Sequence, residues 1–126
     1  MSRTILTVED EPIIREMIGL VLSGAGYVVA PAGTGRDALD MLARNRFDLV
    51  LLDVHMPRMS GLDVLERMQR MGRTMPPVLM LTADREISTV TAARDRGCVG
   101  YVVKPFTPET LLERVRHALA RPASAA

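Results

Sequence analysis

Five polar side chains in this sequence stand at the ends of short apolar runs, and their types suit cation and phosphoryl chemistry. Glu9 and Asp10 follow one run, and Asp53, Thr82 and Lys104 each close or follow another. Carboxylates that lie close together repel one another, and a hard cation such as Mg²⁺, or alternatively Mn²⁺, relieves that repulsion. A carboxylate can also act as a nucleophile and form an acyl phosphate, while a metal and a lysine offset the charge. The set therefore predicts metal-assisted phosphoryl chemistry, provided that the fold brings its members together.

The elements that must position these residues alternate between strand-like and helix-like patterns, five times each. The predicted strands cover residues 4–8, 27–30, 48–53, 77–81 and 99–103. The predicted helices begin at Pro12, near Ala38, after Ser60, near Ile87 (87–96) and after Thr107. Right-handed crossovers between such units give a parallel sheet with helices on both faces. Ligands of an open α/β sheet bind outside the carboxyl ends of its strands, where the polar residues fall.

Local signals support several of these boundaries. In the first helix, apolar residues recur at helical spacing and predict one apolar face: Ile13, Ile14, Met17, Ile18, Val21 and Leu22. Ser60 followed by Asp63 predicts a capping box at the start of the third helix. The uninterrupted apolar run 49–52, closed by Asp53, is typical of a central strand that is buried on both faces.

Composition narrows the possible classes of protein. The chain has 126 residues, 48% of them hydrophobic, which suffices for one domain with a core of its own. A net charge of +1 disfavours direct nucleic-acid binding. The single cysteine, the lack of a secretory pattern and the lack of a long apolar run lead us to expect a soluble, cytoplasmic protein that does not contact a membrane.

Five motifs, in order, give the chain a specific resemblance. They are LTVEDEP at 6–12, DLVLLDVHMP at 48–57, SG at 60–61, LTA at 81–83 and KPF at 104–106. Over residues 3–120 the chain is similar to the response-regulator receiver family, whose archetype is the chemotaxis protein CheY. The resemblance implies a (βα)5 flavodoxin-like α/β fold with strand order 2-1-3-4-5. It also implies a receiver domain over residues 1–121, followed by a short C-terminal tail at 122–126.

The resemblance assigns roles at the strand ends. Asp53 resembles the phosphoacceptor, and Asp10 resembles the acid that binds Mg²⁺ directly, while Glu9 acts mainly through water. The backbone carbonyl of His55 is implied as a further metal ligand. Lys104 resembles the lysine that pairs with the phosphoryl group, and its bond to Pro105 is expected to be cis.

A second group of residues is implied to transmit the signal. Thr82 and Tyr101 resemble a switch pair that reshapes the surface of the fourth helix, fifth strand and last helix, where a downstream protein would bind. His55 and Asp84 occupy variable positions that tune phosphoryl lifetime. The phosphodonor is expected to be a histidine kinase or histidine phosphotransfer protein. Such a domain is a phosphoacceptor with slow self-dephosphorylation rather than an ordinary enzyme, and it is a monomer or a phosphorylation-linked dimer.

Three alternatives remain open from the sequence. We interpret the chain as a stand-alone receiver, and the nearest alternative is a receiver excised from a longer DNA-binding regulator or hybrid histidine kinase. A phosphohydrolase with an aspartyl nucleophile usually has a second acid shortly after the nucleophile, whereas His55 stands there. An FMN-binding flavodoxin-like protein would need a hydroxyl-rich loop after the first strand, where Glu9, Asp10 and Glu11 would repel phosphate.

Overall fold

The computed structural model describes residues 2–72, 74–83, 91, 94 and 97–120, and it arranges them as a parallel sheet between helices. The strands are β1 (Thr4–Val8), β2 (Val28–Ala32), β3 (Leu49–Asp53), β4 (Val78–Thr82) and β5 (Gly100–Val103). The helices are α1 (Pro12–Gly24), α2 (Gly35–Arg44), α3 (Gly61–Gln69) and α4 (Pro108–Leu119). All strand pairs are parallel and their order is β2-β1-β3-β4-β5, which confirms the predicted fold.

Some predictions concern residues outside this description. The helix predicted over 87–96 lies outside the described residues except for Thr91 and Arg94, which are both helical. Asp84 and the tail at 122–126 also lie outside them. The last predicted helix is therefore named α4 here. None of the helices in the described ranges has the length and apolar composition that a membrane span requires.

The sheet separates two apolar cores, and its middle strands are buried on both faces. Every residue of β3 and of β4 is buried, as the uninterrupted apolar run at 49–52 predicts for β3. One core packs α2 and α3 against the sheet through Leu6, Val8, Ala38, Leu42, Val50, Leu52, Val64, Leu65, Met68 and Met80. The other packs α1 and α4 through Ile5, Ile18, Leu22, Leu49, Leu51, Leu79, Leu81, Val102, Leu111 and Val115. The strand ends are thereby held in fixed register.

The predicted apolar face of α1 is only partly correct. Ile18 and Leu22 are buried, and Ile14 and Val21 pack against the same core. Ile13 and Met17, however, are 81% and 41% exposed, and they align with exposed Leu20. The reason is geometric. Pairs of adjacent apolar residues cover a wider arc of the helix surface than the sheet contacts, so the row formed by Ile13, Met17 and Leu20 lies outside the contact with the sheet.

Strand boundaries differ from the prediction mainly at β2 and β3. β2 extends to Ala32 and includes Pro31, which a strand tolerates at the edge of a sheet because no neighbour needs its missing N–H. β3 begins at Leu49 because the Asp48 carboxylate accepts a hydrogen bond from the Thr4 amide at 2.8 Å, which joins the strand starts. The capping box predicted at Ser60 and Asp63 is confirmed.

One buried hydroxyl yields a prediction about stability. Thr7 is fully buried in β1, and its Oγ1 has no hydrogen-bond partner among the described residues. Because valine has the same shape without the hydroxyl, Thr7→Val should raise the free energy of unfolding by about 1 kcal/mol. Thr7→Ser keeps the hydroxyl and loses a methyl group, so it should lower that free energy by about 1 kcal/mol. Urea denaturation measures both, and a less stable Thr7→Val variant would contradict the assignment.

Candidate functional site

The carboxyl ends of four strands meet at one edge and carry the polar residues identified in the sequence. Asp53 and Thr82 end β3 and β4, while Glu9 and Lys104 directly follow β1 and β5. Backbone hydrogen bonds fix these ends against one another: Val54 N–H donates to Leu81 O at 2.9 Å, and Lys104 N–H donates to Thr82 O at 2.8 Å. The predicted convergence of these residues at one edge is therefore observed.

Three carboxylates form the centre of this edge. Glu9, Asp10 and Asp53 each offer an oxygen, and these oxygens all lie within 4.8 Å of one another. Glu9 and Asp53 are buried, and Asp10 is partly exposed. Oxygen ligands of this charge and spacing suit a hard divalent cation that reaches the site from the exposed side. The donor set thus fits Mg²⁺ or Mn²⁺.

Lys104 links two of the three carboxylates. Its Nζ lies 2.6 Å from Glu9 Oε1 and 3.3 Å from Asp53 Oδ2. It is the only lysine in the sequence, where every other fixed cation is an arginine. Burial alone would lower the pKa of its ammonium, but the hydrogen bond to Glu9 and the charge of Asp53 outweigh burial and raise that pKa. The ammonium is therefore kept charged beside the carboxylates.

The two buried carboxylates respond to one another in opposite directions. Burial, followed by the hydrogen bond and charge of Glu9, raises the pKa of Asp53 from 3.8 to about 7. Burial also acts to raise the pKa of Glu9, but the bonds from Lys104 and Asp53 outweigh burial and lower it. Without a cation, Asp53 thus carries a proton just below neutral pH and shares it with ionised Glu9. This cost of ionising Asp53 is what a bound cation would remove.

The remaining predicted residues lie at different distances from this centre. Thr82 is buried at the same edge, at the end of β4. The His55 N–H donates to Asp53 Oδ1 at 3.3 Å, which places its peptide beside the phosphoacceptor candidate. Tyr101 lies in β5, 38% exposed, in register with Met80, which stands two residues before the end of β4. The Lys104–Pro105 bond is cis, as the resemblance implies.

Arg15 contacts the site, although the sequence analysis did not identify it. Its Nη1 donates to the backbone carbonyl of Glu9 at 2.8 Å. The available signal was position, because an arginine near the start of α1 is within reach of the strand end that precedes the helix. Glu9 is otherwise held by Lys104 and by the Glu11 N–H, which donates to its Oε2 at 3.3 Å.

The packing around Gly61 explains why a glycine follows Ser60 in the third of the five motifs. A Cβ at Gly61 would lie 2.2 Å from the Asp53 carbonyl oxygen and 2.9 Å from the Val54 Cα. Both are backbone atoms, which cannot rotate away as a flexible side chain can. The first residue of α3 therefore packs directly on the strand end that presents Asp53, and the Gly61 N–H donates to Val54 O at 2.8 Å.

Gly61→Ala should accordingly lower the free energy of unfolding by about 2 kcal/mol or more, and it should shift the amide resonances of residues 53–55. Gly19→Ala is a matched control, since Gly19 lies in α1 and an added Cβ meets nothing within 4 Å. The free energy of unfolding of this control should rise by about 0.5–1 kcal/mol, because alanine is the better helix former. Urea denaturation of the two variants checks the prediction, which fails if they change stability alike.

Comparison with protein families agrees with this geometry. Residues 5–116 match the family model described as "Response regulator receiver domain". The chain is 44% identical over 121 residues to the response regulator MprA of Mycolicibacterium vanbaalenii, an alignment that covers 96% of this chain and 52% of that protein. It is 43% identical over 121 residues to MprA of Mycobacterium tuberculosis, again covering 52% of it. The chain thus spans about half the length of these relatives.

Solved structures of receiver proteins are similar to this chain in fold. The chemotaxis protein CheY4 of Vibrio cholerae superposes with a TM-score of 0.87 at 37% identity, over 94% of this chain and 99% of that one. A CheY-like response regulator receiver domain protein from Methanospirillum hungatei gives a TM-score of 0.87 at 28% identity, over 94% of each chain.

Proposed function

The chain belongs to the response regulator receiver family, and from that premise we propose that it accepts a phosphoryl group on Asp53 in a Mg²⁺-dependent reaction. The observation that carries the proposal is the site itself. Three carboxylates and the only lysine of the chain meet at one sheet edge, and Asp53 contacts both Lys104 and Glu9. An ion pair serving stability alone would not require a third, partly exposed carboxylate beside it.

In the proposed reaction, a carboxylate oxygen of Asp53 attacks the phosphorus atom of a phosphohistidine. A P–O bond forms to Asp53, the P–N bond breaks, and the histidine nitrogen of the donor leaves with its electron pair and takes up a proton. Lys104, already 3.3 Å from Asp53 Oδ2, is close enough to pair with the incoming phosphoryl oxygens. Thr82, at the neighbouring strand end, is the hydroxyl proposed to donate to one of them.

Metal binding is assigned to three groups in this proposal: the carboxylates of Asp10 and Asp53 and the backbone carbonyl of His55. When bound, Mg²⁺ supplies positive charge that offsets the carboxylates and the phosphoryl oxygens. Glu9 is proposed to act mainly through water, which is in keeping with its two oxygens already accepting bonds from Lys104 and from the Glu11 amide.

Signal output is proposed to follow from Thr82 and Tyr101. When the Thr82 hydroxyl turns towards the phosphoryl group, the Tyr101 ring follows into the space it leaves. This would reshape the face formed by the fourth predicted helix, β5 and α4, where a downstream protein binds. A histidine kinase or histidine phosphotransfer protein is the proposed donor, and self-dephosphorylation is slow. We propose a cytoplasmic domain that is a monomer or a phosphorylation-linked dimer and does not itself contact nucleic acid.

Two forms of the whole protein fit this role. One is a stand-alone receiver that signals through protein contacts alone. The other is a receiver within a longer DNA-binding regulator or hybrid kinase, and the length of the MprA relatives, about twice that of this chain, favours it. The reading frame that encodes the chain distinguishes the two.

Intact-mass measurement after incubation with acetyl phosphate and Mg²⁺ tests the proposal. The wild type should gain one phosphoryl group that is lost over time, and the gain should be absent without Mg²⁺ and in Asp53→Ala. Asp40→Ala, an exposed acid on α2, is the matched control and should be phosphorylated like the wild type. Failure with acetyl phosphate, followed by failure with a cognate kinase, would overturn the proposal.

A further inference from the structure

The peptide that joins Glu9 to Asp10 lies just beyond the hydrogen-bonded part of β1. The Glu9 N–H still donates to Ala32 O at 3.1 Å, but the pairing of β1 with β3 ends at Val8. The carbonyl of Glu9 therefore has no partner in the ladder. Arg15 satisfies it, with Nη1 donating at 2.8 Å.

The Arg15 side chain lies between the turn after β1 and the turn after β2. Its own amide donates to Glu11 O at 2.9 Å as α1 begins, and its side chain extends back from the helix to the end of β1. Its guanidinium then covers Gly33 in the turn after β2, where an added Cβ would lie 3.0 Å from Nη1 and 3.5 Å from Cζ. One guanidinium thus joins the turn after β1 to the turn after β2.

We propose that Arg15 is a positioning residue for the cation site, acting by fixing the plane of the Glu9–Asp10 peptide. Lys104 holds the carboxylates of Glu9 and Asp53 directly. Asp10 is partly exposed, and within the described part of the chain its carboxylate forms no ion pair. The direction of its side chain therefore depends on the backbone that Arg15 anchors. This inference rests on the proposed Mg²⁺ site and adds a residue to it.

The charge of Arg15 and its proposed role in orienting Asp10 predict opposite effects on cation binding when the side chain is removed. A guanidinium near three carboxylates repels an incoming cation, so if its charge were what mattered, its loss would strengthen cation binding. If it orients Asp10, its loss weakens binding, as is common when a group that supports a metal ligand is removed. Because Arg15 bonds a neutral carbonyl oxygen rather than a carboxylate, the structure favours the positioning role.

The test is the affinity for Mn²⁺, measured without phosphorylation by following the free ion with electron paramagnetic resonance. Arg15→Met should raise the dissociation constant about tenfold. Arg15→Lys keeps the charge but loses the planar guanidinium, so its dissociation constant for Mn²⁺ should lie between those of Arg15→Met and the wild type. Gly33→Ala crowds Nη1, the atom that donates to Glu9 O, and should weaken binding about two- to threefold, less than deletion because the side chain can shift. Arg36→Met, an exposed arginine in the first turn of α2, controls for net charge and should bind at least as tightly as the wild type.

Thermal unfolding without metal confirms that each variant is folded at the titration temperature, and Gly33→Ala serves if Arg15→Met does not fold. Unchanged or tighter Mn²⁺ binding by a folded Arg15→Met variant, or by Gly33→Ala in its place, overturns the positioning role and leaves the proposed function intact. Absence of Mn²⁺ binding by the wild type instead overturns the metal site, and with it this inference.

Discussion

Lys104→Met should lower the free energy of unfolding of the metal-free domain by about 3 kcal/mol at pH 8, because it leaves two buried carboxylates without their cation. The ammonium lies 2.6 Å from Glu9 Oε1 and 3.3 Å from Asp53 Oδ2, and both acids are almost wholly buried. Removing one partner of a buried ion pair costs far more than removing an exposed charge. Urea denaturation at fixed pH measures the change.

The cost should depend on pH in a defined direction. At pH 5 Asp53 is protonated in the wild type, since its pKa is about 7, so Lys104 then offsets one carboxylate rather than two. Lys104→Met should therefore cost less at pH 5 than at pH 8. Arg36→Met removes the same charge from an exposed position and should change stability by less than about 0.5 kcal/mol at either pH. Equal costs for the two variants would contradict the proposed electrostatics of the site.

Asp53→Asn should have the opposite effect and stabilise the metal-free domain at pH 8. The raised pKa of Asp53 means that the folded state binds a proton more tightly than the unfolded state does. The wild type therefore loses stability as pH rises from about 4 to about 7, and an uncharged asparagine avoids that loss. A shift from 3.8 to about 7 corresponds to ~4 kcal/mol, and side-chain relaxation reduces the expected gain to about 2 kcal/mol. The lowered pKa of Glu9 makes stability depend on pH only below about its unfolded value of 4.5, so it does not affect a comparison of pH 5 with pH 8.

The only lysine offers a direct readout of this titration. With lysine labelled with ¹³C at Cε alone, the single labelled signal belongs to Lys104, and its shift should show an inflection near pH 7 as Asp53 ionises. The inflection should vanish in Asp53→Asn and persist in Asp40→Asn, a change at an exposed acid on α2.

The stability gain of Asp53→Asn should be larger at pH 8 than at pH 5. An equal gain at the two pH values would show that the gain has another cause. In saturating Mg²⁺ the wild type should again be more stable than Asp53→Asn. The reason is that Mg²⁺ raises the free energy of unfolding only of a protein whose folded state binds it.

Much of the fold followed from local patterns because the sheet is built from short, continuous apolar runs. A strand buried on both faces admits almost no polar residue, so β3 and β4 are evident in the sequence. The capping box of Ser60 and Asp63 was equally local. The burial of α1 was predicted less well, since Ile13 and Met17 have the spacing of core residues but lie on the solvent side of the arc that the sheet covers. Which part of a wide apolar face is covered depends on helix orientation, and no local pattern records that.

The sequence predicted those site residues that stand at the ends of strands. It did not predict a contact made through a long side chain, or one that requires a glycine. Glu9, Asp53 and Lys104 stand directly at strand ends, so the parallel sheet alone brings them together. Arg15 reaches the site through an extended side chain, and Gly61 matters because a Cβ has no room against the backbone of β3. Both contacts require three-dimensional distances that the order of residues does not contain.

The most direct test of the central claim is to locate the phosphoryl group by chemistry. Borohydride reduces an acyl phosphate of aspartate to homoserine, so the domain treated with a phosphodonor and Mg²⁺ should yield, after proteolysis, a peptide carrying homoserine at position 53. Omitting Mg²⁺ or the donor should abolish it. Homoserine at another acid, such as Asp10, or a stable phosphate on a hydroxyl side chain, would contradict the assignment of Asp53 as phosphoacceptor.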